Sequence, residues 1–163
     1  MTEFSHIDHN GHPVMVDISE KKKTERIARA EGKVILSRKI YDTLREGEKT
    51  RKGEVFHIAE LAGITAAKKT SDLIPLCHNI CLDSIKVQCM LEEADLSVMI
   101  VSEVKARDCT GVEMEALTAV SAAALTVYDM CKALGKEMTI HGIRLLYKTG
   151  GKSGTFRAGD FPS

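Results

Sequence analysis

The apolar and polar positions of this chain fall into segments with readable periods. Residues 116–127 form an uncharged run of Ala, Leu, Thr, Val and Ser, and five of these twelve positions are Ala, the strongest helix former. With its flanks from Thr110 to Lys132, the run predicts a helix of about six turns. Gly111 precedes it and Gly135 stands where a terminating glycine would fall. A helix apolar all round is expected to be buried all round, and twelve uncharged residues are too few to cross a bilayer. Residues 54–69 carry Val55, Ile58, Ala59, Ala62, Ala66 and Ala67 in a helical rhythm, and residues 39–45 predict a shorter helix. Strand patterns lie at residues 33–37, 80–91, 96–106 and 138–147. The third sets Leu96, Val98, Ile100 and Val104 against Ser97, Ser102 and Lys105.

The order strand, helix, strand, strand, helix, strand is the split βαβ arrangement. It predicts an α+β, ferredoxin-like fold: a four-stranded antiparallel sheet, helices on one face, and an extra helix before Pro75. Residues 1–30 read as a flexible N-terminal arm, 31–157 as a single catalytic domain and 158–163 as a flexible tail. The loop ends of such a fold would gather Lys52, His78 and the helix termini.

Composition narrows the function classes. Lys+Arg and Asp+Glu both number 23, so the chain has no net charge, which argues against bulk nucleic-acid or membrane binding. Five cysteines, an odd number, with no signal peptide or long apolar run, predict reduced thiols and a cytoplasmic location. Neutrality hides local asymmetry. Residues 20–29 hold Lys21, Lys22, Lys23, Arg26 and Arg29 against Glu20 and Glu25, and no acid occurs from 138 to 159. Such clusters suit a compact anion better than a duplex.

Charges on the long helix sit only at its ends. Asp129 and Lys132 are spaced i,i+3, on one face. Glu113 and Glu115 in the first turn also suit the helix dipole, a purely structural reading. The Gly150–Gly154 run is not a P-loop, because Leu146 stands where the first glycine is required and no helix can follow. Its backbone N–H groups can still cradle an anion, and a flexible end is an equal alternative. Cys77 and His78 are adjacent and point apart on an extended chain, which disfavours a nucleophilic couple. His78 is left open between a pocket donor and a satisfied core histidine. His6, His9 and His12 lack partners that would complete a metal site, and no metal ligand is assigned.

The ordered motifs carry more than spacing does. Residues 15–19 (MVDIS), Lys52-Gly53, residues 72–78 (DLIPLCH), residues 110–119 (TGVEMEALTA), residues 128–133 (YDMCKA) and residues 148–154 (KTGGKSG) closely resemble the cyclic pyranopterin monophosphate synthase family, the MoaC proteins of molybdenum cofactor biosynthesis. The resemblance implies a ferredoxin-like fold assembled as a hexamer, a trimer of dimers, with the pocket between subunits. It implies a lyase that takes a 3′,8-cyclised dihydro-GTP to a pterin bearing a cyclic phosphate, with diphosphate released. By resemblance Asp129, Lys132 and Lys52 are catalytic. Leu76, Cys77, His78, Met114 and Glu115 match substrate-binding segments, Lys21 and Arg26 triphosphate contacts on the arm, and Glu113 and Lys148 the same pocket. Two departures stand out: Cys109 where the family commonly has Lys, and Asn79 where it often has Pro.

The residue types suit that chemistry. Ring rearrangement needs protons given and taken, and a lysine among cations can act near neutrality. Loss of diphosphate needs a neutralised leaving group, which fixed Lys and Arg supply, so no cofactor is required and Mg²⁺ on the triphosphate is an optional helper. The rival is a non-enzymatic nucleotide or RNA module. An aromatic content of 4% with no Trp gives RNA little to stack on, and a regulatory binder has no need of Lys52, Asp129 and Lys132 together.

Overall fold

The computed structural model describes residues 5–47 and 53–159. In chain order the elements are β1 (Thr24–Ile35), α1 (Arg38–Gly47), α2 (Gly53–Ala67), the one-turn α3 (Thr70–Leu73), β2 (Leu82–Glu92), β3 (Ser97–Asp108), α4 (Glu113–Cys131), β4 (Thr139–Thr149) and β5 (Phe156–Arg157). The strands make one antiparallel sheet in the order β2-β3-β1-β4-β5. Its first four strands follow the expected ferredoxin-like order. The fifth, two residues pairing with Tyr147 and Lys148, adds to the expected four.

The first strand corrects the sequence reading. The expected arm ran to residue 30, yet residues 24–30 are the first half of β1. Ala28, Ala30 and Val34 alternate inward and are fully buried, while the outward Arg29 pairs with Glu103 and the outward Glu31 with Arg144. Small inward residues and charged outward ones give little apolar signal. Ser102 is a second correction: it is buried on the inner face, where its hydroxyl donates to the Ala116 carbonyl at 2.8 Å. That bond removes the cost of burying a hydroxyl in the core. At the start of the expected tail the Ala158 N–H donates to the Leu146 carbonyl and Arg144 to that of Gly159, and the rest of that tail, 160–163, lies outside the described residues.

The buried stripe of α4 is Ala116, Ala119, Val120, Ala123, Ala124, Val127 and Cys131, covered by β1, β3, β4 and α2. A sheet and one helix cover only part of its circumference. Within one chain the sheet and α2 bury one side of the helix, and the opposite stripe is open, with Leu125 61% exposed. The helix also ends at Cys131, short of Gly135.

Helices α2 and α4 run antiparallel. Glu60 accepts the Cys89 N–H and Gly63 lies against Val87, whereas Ser102 meets Ala116 and Gly32 meets Val120. Through the strand register these contacts descend α2 as they ascend α4. Since Gly63 crosses Ala119, the start of α2 lies at the Asp129 end of α4.

Candidate active site

The site assembles where β1 begins, β3 ends, α4 begins and β4 ends. Two adjoining clefts, of about 1120 and 420 Å³, share Lys21, Thr110, Gly111 and Glu113. The segment before β1 forms a wall of both. It is tied down by His78 Nε2 on the Val16 carbonyl at 2.7 Å and by the Cys109 thiol on the Lys21 carbonyl at 2.9 Å.

The larger cleft is cationic. Lys21, Lys22, Arg26, Lys148 and Lys152 line it against Asp17, Glu20 and Glu113. Lys148 Nζ donates to Ser153 Oγ at 2.7 Å and lies 3.3 Å from Glu113 Oε1, so its ammonium is fixed between α4 and the glycine loop. Arg26 is 8% exposed. Its Nε and Nη2 donate to the Asp108 and Cys109 carbonyls, each at 3.1 Å. Thr24 Oγ1 is buried at this lining with no hydrogen-bond partner among the described residues. The Ser19 N–H and hydroxyl hold the Asp17 carboxyl below its usual range. Phosphate oxygens are the ligand chemistry that such a set of buried and exposed cations recognises.

The smaller cleft is half apolar. Val16, Ile18, Leu76, Ile80 and Met114 meet Cys77, His78 and Glu115 there. A carbonyl only accepts, so in the bond to Val16 the His78 Nε2–H is the donor. The open question about His78 thus resolves to a pocket residue that is also tethered. Glu115 is 4% exposed. Burial raises its pKa to about 7, with the Glu113 charge adding to the rise and its own backbone N–H opposing it. Burial also pushes the Cys77 thiol up, and the Glu115 charge adds to that. A carboxyl poised near neutrality can both give and take a proton.

The sequence-derived residues therefore fall into two groups. Lys21, Arg26, Leu76, Cys77, His78, Glu113, Met114, Glu115 and Lys148 all line the paired clefts. Asp129 and Lys132 do not. They form an exposed ion pair, Nζ to Oδ1 at 2.5 Å, sixteen residues from Glu113 along α4, a separation of about 24 Å at 1.5 Å per residue. The hydrogen bond that Lys132 donates to Asp129, then the charge of that carboxylate, raises the Lys132 pKa. Lys52 lies outside the described residues. Gly151, Lys152 and Ser153 line the larger cleft, so the glycine run lies at it, and Asp17 with Ser19 is a lining pair whose D-x-S turn signal was available in the sequence. Among the described residues no group of three or more His, Cys, Asp or Glu side chains is arranged to hold a metal ion, and no helix is long and apolar enough to cross a membrane.

Comparison with known proteins identifies the family. Residues 15–151 match the MoaC family. The chain is 52% identical over 157 residues to the cyclic pyranopterin monophosphate synthase of Magnetococcus marinus, covering 96% of this chain and 95% of that protein. It is 51% identical over 156 residues to the protein of that name from Heliobacterium modesticaldum, covering 96% and 98% respectively. The protein of that name from a Methylobacterium species is 50% identical over 158 residues, covering 97% and 98%.

Proposed function

This chain belongs to the MoaC family, and from that premise we propose that it converts 3′,8-cyclised 7,8-dihydro-GTP to cyclic pyranopterin monophosphate and diphosphate, a lyase reaction early in molybdenum cofactor biosynthesis. The observation that carries this reading is the joining of a cationic cleft to a half-apolar one across Thr110, Gly111 and Glu113. A nucleotide triphosphate has the same two-part character. Its phosphates belong with Lys21, Lys22, Lys148 and Lys152, and its ring system with Leu76, Cys77, His78, Met114 and Glu115.

When the cyclic phosphate closes, a substrate hydroxyl attacks the α-phosphorus. The α–β bridging P–O bond breaks, its electron pair leaves on diphosphate, and the proton lost by the attacking hydroxyl passes to water. Fixed cations stabilise that developing charge without reorganising. Mg²⁺ carried on the phosphate oxygens would add to the neutralisation. In the ring rearrangement, Glu115 is suited to relay protons near neutral pH, and Lys132, held protonated by Asp129, to donate one. Lys52 is assigned its catalytic role on sequence resemblance alone.

One α4 cannot present both of its ends to one substrate. We therefore infer that a second protomer brings its Asp129 and Lys132 to the cleft, within a hexamer built as a trimer of dimers. The open α4 stripe with Leu125 supports this, since small and apolar residues there suit close approach of a symmetry mate. Incubation of the purified protein with the cyclised nucleotide tests the activity. One diphosphate per pterin product is expected. Nucleotide binding without diphosphate release would instead make the protein a regulatory binder.

A further inference from the structure

Arg26 carries the charge expected of a phosphate contact, but its surroundings describe a clamp. Its guanidinium spans two successive carbonyls, those of Asp108 and Cys109, where β3 leaves the sheet on the way to α4. The glycine loop lies on its other side. A Cβ on Gly151 would fall 1.8 Å from Arg26 Nη1, and one on Gly150 would fall 2.2 Å from the Glu25 carbonyl oxygen. Both glycines also have positive φ, 74° and 102°, so only glycine lets the loop settle on this arginine. The contact continues one step further, because Cys109, whose carbonyl Arg26 holds, donates its thiol to the Lys21 carbonyl.

We propose that Arg26 is a positioning residue that locks three walls of the larger cleft together: the β3–α4 turn, the glycine loop and, through Cys109, the segment bearing Lys21. Its planar fork is what the task requires. A lysine ammonium keeps the charge but, as a single point donor, cannot hold two successive carbonyls in the same plane. Lys148 and Glu113 would then keep their 3.3 Å pairing only while the turn and the loop are held in register. The consequence for phosphate binding rests on reading this cleft as the phosphate end of the site; the clamp itself does not.

The test compares Arg26→Lys and Arg26→Gln with the wild-type protein in two measurements. The first is the alkylation rate of each cysteine by mass spectrometry. The exposed Cys81 serves as a reference, and the buried Cys89 and Cys131 report on global folding. The second is the affinity for inorganic diphosphate. The clamp predicts that both variants alkylate Cys109 about tenfold faster and bind diphosphate about tenfold more weakly, the scale of one lost charge-assisted hydrogen bond. Cys81 should not change, and Cys89 and Cys131 should stay protected. Wild-type behaviour of Arg26→Lys in both measurements would reduce Arg26 to a charge and overturn the proposal. Should the Arg26 variants expose Cys89 and Cys131, Gly151→Ala decides, because its methyl displaces the same guanidinium from the opposite side. It should also release Cys109, and unchanged Cys109 protection would refute the clamp. Failure of the wild-type protein to bind diphosphate would remove the phosphate reading while the alkylation arm still decides the clamp.

Discussion

Gly32 on β1 lies directly beneath Val120 of α4: a Cβ at position 32 would sit 2.8 Å from Val120 Cγ1 and 3.0 Å from Ile143 Cγ1. The helix that carries Glu113 and Glu115 is therefore seated at a height set by a missing methyl. Gly32→Ala should overpack this contact and lower stability by about 1–3 kcal/mol, measurable by urea unfolding. Turnover should fall with it, since lifting α4 moves the acids that line the clefts.

The buried Glu115 makes stability depend on pH. Its pKa is raised from the usual 4.5 to about 7, so between those values the folded chain holds a proton that the unfolded chain has lost. This contribution weakens stability as pH rises through that window and levels off above it, with a total on the order of 3 kcal/mol. Glu115→Gln should remove this slope. Unfolding midpoints from pH 4.5 to 8 check it, the variant being relatively more stable at the alkaline end and slower in turnover.

The salt dependence of substrate binding reports on the rim of the larger cleft. Lys21→Gln should raise KM and flatten its dependence on ionic strength, because one fewer cation meets the polyanion. Steady-state kinetics across a salt series measures both effects. An unchanged KM and an unchanged slope would take Lys21 out of the phosphate end.

The parts of the fold legible in the sequence were those where side-chain volume carries the signal. The α4 run, the α2 rhythm and the Val98, Ile100, Val104 alternation all place large or uniform apolar residues against the core. The first half of β1 was hidden because its inward Ala28 and Ala30, like Gly32 after them, are small to admit α4, and outward Arg29 and Glu31 are paired charges. Ser102 was misassigned because its burial depends on one bond to a helix carbonyl. At the site, the family resemblance named most of the residues that line the paired clefts, but the tethering of the N-terminal segment was invisible. It runs through the carbonyls of Val16 and Lys21, which every sequence possesses. The distance between Asp129 and the clefts was equally hidden, since motifs give order along the chain and no directions in space.

Asp129 and Lys132 lie on an exposed helix end, so their loss should leave folding intact. Lys132→Ala and Asp129→Asn are each expected to lower kcat by at least about 10²-fold, the size of a lost general acid–base group, with the unfolding midpoint unchanged. Near-normal product formation by Lys132→Ala would remove that pair from the chemistry.

The division of the site between two protomers has a direct test by subunit mixing. Lys148→Ala disables the cleft and Lys132→Ala disables the helix end, and each variant alone should be inactive. Unfolded together at equal concentration and refolded, they form hybrid pairs in which the intact cleft of one protomer meets the intact helix end of the other. Random pairing of symmetric dimers then restores about a quarter of wild-type diphosphate release. Activity no greater than that of the two variants refolded separately would contradict the shared site.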